Sequence, residues 1–133
     1  MPRLDRLRRL ANGLRNPKLV PPPHFDMQHM AIGNLATLEC GSAGCALGFC
    51  PRIFGPPWRY ANTASGVVFG DAETDRERAH PLNAAAYFFD LPVEEVARLF
   101  YLTDDTLMRD EWHHPERTAE RIDRFCDQVE RCR

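Results

Sequence analysis

Three of the chain's five cysteines stand at positions 40, 45 and 50, in the run CGSAGCALGFC. Thiols this close together can do three things. They can hold a metal, they can exchange disulfides, or they can pack as small apolar groups. A closed zinc site takes four thiolate or imidazole ligands, usually in two tight pairs such as C-x2-C. The spacing here is C-x4-C-x4-C, and five residues of helix would turn Cys50 about 140° away from Cys45. Cys40, Cys45, Cys50 and His29 are the ligands a zinc ion would recruit, with His24, His80, His113 or His114 arriving from farther along the chain. An iron–sulfur cluster fits this spacing less well.

Thiol chemistry needs a lowered pKa. Gly41-Ser42 reads as a helix start, with Ser42 accepting a free backbone N–H. Ala43 to Phe49 would then be a short helix with Cys45 in its first turn, where the helix dipole favours a thiolate. Cys40 would be the resolving partner of a Cys40/Cys45 redox pair, although this is not the C-x-x-C redox spacing. In the packing reading, free cysteine buries as readily as the common apolar residues. Gly41, Gly44 and Gly48 leave room for a close neighbour. Packing is the preferred reading, with no cofactor; zinc is the alternative.

Other catalytic patterns are missing. The chain has no G-x-x-x-x-G-K-[ST], G-x-G-x-x-G or H-E-x-x-H, and no G-x-S-x-G. Asp104-Asp105 and Asp110-Glu111 lie beside His113-His114 and read as solvated or capping acids rather than a cation site. The formal net charge is −2, which disfavours nucleic acid as a partner. No apolar run reaches the length of a membrane span. The basic start, MPRLDRLRRLANGLRNPK, lacks the apolar stretch of a secretory signal. A cytoplasmic location is expected, where thiols stay reduced.

The elements that would position these residues are mostly helical. Leu4, Leu7, Leu10, Ala11 and Leu14 recur at helical spacing with Arg3, Arg6, Arg8 and Arg9 between them; Gly13 and Pro17 bracket the end. The arginines could meet phosphate, but a solvated face near Asp5 is preferred. Pro21, Pro22 and Pro23 make a stiff connector, after which Phe25, Met27 and Met30 return to the core. Residues 51–79 read as a long irregular insertion containing a turn at Gly55-Pro56-Pro57. A short strand near 66–70 has no evident partner strand there. PLNAAAYFFD has the composition of a buried helix. LPVEEVARLFYL adds a second, with Glu94 and Glu95 at its positive end. A last helix starts at Pro115 and carries Ala119, Ile122, Phe125, Cys126 and Val129 as its stripe. Cys126 is expected buried and Cys132 exposed. The expected fold is mainly α: one domain, 1–133, of about five helices.

Several of these pieces, in this order, resemble a group of small bacterial and phage proteins for which no function is assigned. They are Phe25-Asp26-Met27, the stretch from Cys40 to Gly48, Ala84 to Leu91, Glu94 to Phe100 and Pro115 to Phe125, together nearly the whole chain. Where the group carries threonine this chain has Ser42, which keeps a capping hydroxyl. Where the group carries glycine it has Asp90, a residue type that tolerates positive φ. Met30 stands near an expected tryptophan. The resemblance implies that Cys40 and Cys45 belong together and that Cys50 is an addition. It implies no reaction.

The expected function is therefore a small binding or adaptor protein, carried by a phage or mobile element, that acts through a protein partner. Trp58, Tyr60 and Phe69 are the candidate surface, because exposed aromatics anchor interfaces. The same three could instead form a satellite core under the loop. The competing class is a thiol or metal protein centred on Cys40 and Cys45. A weaker one is a nucleic-acid binder using the Arg3–Arg15 helix. Oligomeric state is left open.

Overall fold

The computed structural model describes residues 2–25, 31–32, 43–56, 58–60, 67–69, 81–100 and 114–132. Five α-helices occur among them, α1 (Leu4–Leu14), α2 (Cys50–Phe54), α3 (Pro81–Phe89), α4 (Val93–Phe100) and α5 (Pro115–Arg131). The protein is mainly helical, as its apolar periodicities predict, and one contiguous hydrophobic core joins all five helices.

Helix α1 forms because its apolar residues fall on one stripe. Leu7, Leu10, Ala11 and Leu14 are buried almost completely. Each leucine so buried contributes roughly 2 kcal/mol of hydrophobic stabilisation. The stripe packs chiefly on α5, whose own stripe is Pro115, Thr118, Ala119, Ile122 and Cys126. Helices α2 and α3 close the other sides of α1.

Two short antiparallel ladders accompany the helices. Strand β1 (Ala31–Ile32) pairs with β2 (Ala43–Gly44), and β3 (Trp58–Tyr60) pairs with β4 (Val67–Phe69). The strand near 66–70 thus has a partner, inside the segment read as irregular. Trp-Arg-Tyr is a strand-forming triplet of alternating character. It pairs in the register Trp58↔Phe69, Arg59↔Val68 and Tyr60↔Val67.

The helix placed at Ala43 to Phe49 needs correction. Ala43-Gly44 is strand, Leu47–Phe49 is a 3-10 turn, and the α-helix begins only at Cys50. Pro51 stands in the first turn of that helix. Its ring presets the helical φ, and the N–H it lacks would have gone unbonded in the first turn anyway.

Helix α3 ends with its last carbonyls fully accounted for. These four groups have no partner within the helix. The Leu91 N–H bonds the Ala86 carbonyl at 3.0 Å, and the Asp90 N–H bonds that of Tyr87 at 3.4 Å. This pair is a Schellman closure, and it requires a left-handed residue, Asp90 at φ 54°. An aspartate at this position does tolerate the positive φ. The Arg6 guanidinium donates to the Phe88 carbonyl at 2.7 Å, and the Arg3 N–H to that of Phe89 at 2.8 Å.

Gly13 lies inside α1 rather than beyond its end. A Cβ there would sit 2.7 to 2.9 Å from three side-chain carbons of Ile53. In a free helix Gly→Ala stabilises by about 1 kcal/mol. Here overpacking against a stiff β-branched neighbour outweighs that gain. Gly13→Ala should therefore lower stability by about 1–3 kcal/mol in urea unfolding. Ile53→Ala in the same chain should make a further Gly13→Ala change neutral or stabilising.

Candidate functional site

The cysteine segment builds a corner of the core. Cys45, Ala46, Leu47, Phe49 and Cys50 are all buried, and the Phe49 ring stacks on Phe25 with centroids 6.3 Å apart. The Cys45 carbonyl accepts the Phe49 N–H at 3.1 Å. Cys50 is 0% exposed, and its Sγ–H donates to the Ala46 carbonyl at 3.6 Å.

Two effects oppose each other at Cys50, which starts α2. A helix N-terminus lowers a thiol pKa, whereas burial raises it. The helix has only five residues, and burial wins. Desolvation, aided by the nearby Cys45, pushes the Cys50 thiol well above its ordinary value. Cys126 is buried in α5, and desolvation pushes its thiol up to about 11. Cys132 is exposed at the end of α5.

Of the metal candidates, Cys40 and His29 lie outside the described residues, so the Cys40/Cys45 pairing is not placed. His80, His113 and the acidic pairs at 104–105 and 110–111 lie outside them too. His24 sits in a 3-10 turn that packs on β2, next to Cys45 in the chain, whereas His114 precedes α5. Among the described residues no group of three or more His, Cys, Asp or Glu side chains is arranged to hold a metal ion.

The aromatic candidates separate. Trp58 is 2% exposed, with its ring edge-on to Phe88 at 5.5 Å. It is core, which corrects its assignment to an exposed surface. Tyr60 and Phe69 are placed by their backbones in the β3–β4 ladder, and their side chains lie outside the described residues. Tyr87 at 56% and Val93 at 39% are the exposed large apolar side chains among the described residues. They flank the turn between α3 and α4. The spacing of Ala84, Ala85, Phe88 and Phe89 could have shown this, since it leaves Tyr87 off the buried face of α3.

The arginines of α1 reach polar partners, while Arg3, Arg9 and Arg15 stay exposed as the solvated-face reading expects. Arg6 lies over the Phe88 ring at 4.2 Å and caps its carbonyl. Arg9 reaches the Ile53 carbonyl at 3.3 Å and lies over the Phe54 ring at 5.3 Å. Arg8 meets Asp127 at 3.0 Å, Glu130 at 3.1 Å and Asp123 at 3.4 Å, and Arg15 meets Asp123 at 2.6 Å. Arg3 pairs with Asp5 at 3.0 Å. The guanidiniums that would contact phosphate are engaged within the fold. No helix of the described residues is long and apolar enough to cross a membrane.

No protein family, curated protein or solved structure matches this chain.

The thiols and arginines each yield a measurable outcome. Alkylation of the native protein should label Cys132 quickly and leave Cys45, Cys50 and Cys126 unlabelled until denaturant is added, as peptide mass mapping would read. Below pH about 9 the Cys50 and Cys126 thiols are protonated in both states, so their contribution to stability is complete. Above it the unfolded chain ionises them while the folded chain holds its protons, so stability falls as pH climbs from about 9 towards 11. Cys126→Ala should flatten that fall. Arg6→Met leaves the Phe88 carbonyl without its donor and should cost about 1–3 kcal/mol regardless of salt. Arg8→Met removes partly exposed ion pairs and should cost about 1 kcal/mol at low salt. In concentrated salt that loss should shrink, which thermal melts of both variants would separate.

Proposed function

We propose that this protein is a binding module that acts through a protein partner, and that the partner docks on the corner between α3 and α4. The observation that carries the reading is the exposure of Tyr87 and Val93. Every other large apolar side chain of the described core is turned inward, whereas these two stand out at one turn. A tyrosine offers large, rigid contact area with little entropy to lose, which is why such residues anchor interfaces. The corner beneath it is firm, because the Schellman closure at Asp90 satisfies the end of α3 and Leu91 is buried behind it. A firm platform with an exposed aromatic loses little freedom on docking.

Two facts support binding over thiol chemistry. The described thiols other than Cys132 are buried, and burial keeps Cys50 and Cys126 protonated at neutral pH. The engagement of the α1 arginines in caps and ion pairs likewise supports a protein partner over nucleic acid.

The test uses a photo-crosslinking residue at position 87, with the same residue at exposed Asn12 as control. In the cell that makes the protein, position 87 should trap one partner reproducibly and position 12 should not. Tyr87→Ala should change stability by less than about 0.5 kcal/mol, as exposed positions do, yet should abolish co-purification of that partner. Equal trapping at both positions, or co-purification unaffected by Tyr87→Ala, would sink the reading.

A further inference from the structure

We draw no further inference here: the strongest candidate, the hollow of about 220 Å³ between the end of α1 and the start of α5, lined by Leu14, Val20, Pro22 and Pro115 with Arg15 and Glu116 of opposite charge, is an apolar surface for which nothing in the structure shows what covers it.

Discussion

Helix α1 has to bury Leu7, Leu10, Ala11 and Leu14 while carrying Arg6, Arg8 and Arg9 on the same eleven residues. The two demands meet because the guanidiniums flank the apolar stripe, where their stems cover apolar surface and their heads reach polar groups on neighbouring elements. Arg6 ends α3, Arg9 touches the last turn of α2, and Arg8 and Arg15 hold the acidic row of α5. A single helix thereby supplies hydrophobic contact, carbonyl caps and ion pairs to three others. The caps matter more than the ion pairs. An orphaned carbonyl costs its full desolvation, whereas a partly exposed ion pair contributes little.

The same balance between burial and charge governs the cysteines. A thiol at a helix start is activated only if its thiolate is solvated or paired. At Cys50 the helix is short and its surroundings are Ala46, Phe49 and the rest of the core, so the neutral thiol is the stable form. Cys126 follows the same logic on α5. Ala46 and Gly48 are buried with Cys45, and cysteine there behaves as a compact apolar residue.

Periodicity made the helices legible. The leucine stripe of α1, the glutamates opening α4 and Pro115 opening α5 all sit where elementary helix physics places them. The positive φ at Asp90 was expected only through the resemblance, whose group carries glycine at that place. The cysteine segment was not. Gly44 and Pro51 each admit two local readings; Gly44 falls in a strand, and Pro51 sits in the first turn of a helix that starts at Cys50. The strand partner of Val67–Phe69 was hidden because three residues carry too little alternation to stand out. Trp58 was misplaced for a related reason: an aromatic in a loop-like stretch has the same composition whether it anchors a surface or fills a core. The destinations of the arginines were not legible at all, since a carbonyl at the end of a distant helix leaves no mark on sequence spacing.

The exposed corner follows from how α3 must end. Ala84, Ala85, Phe88 and Phe89 commit one side of the helix to the core, and the chain must then turn sharply to lay α4 against it. The left-handed Asp90 makes that turn and drives Leu91 inward. With Leu91 sealing the turn from beneath, Tyr87 has no buried position left to occupy, and Val93 begins α4 before its apolar face is covered. Tyr87 and Val93 therefore keep apolar surface in contact with solvent at one turn, and it is this surface that the proposed docking reading uses.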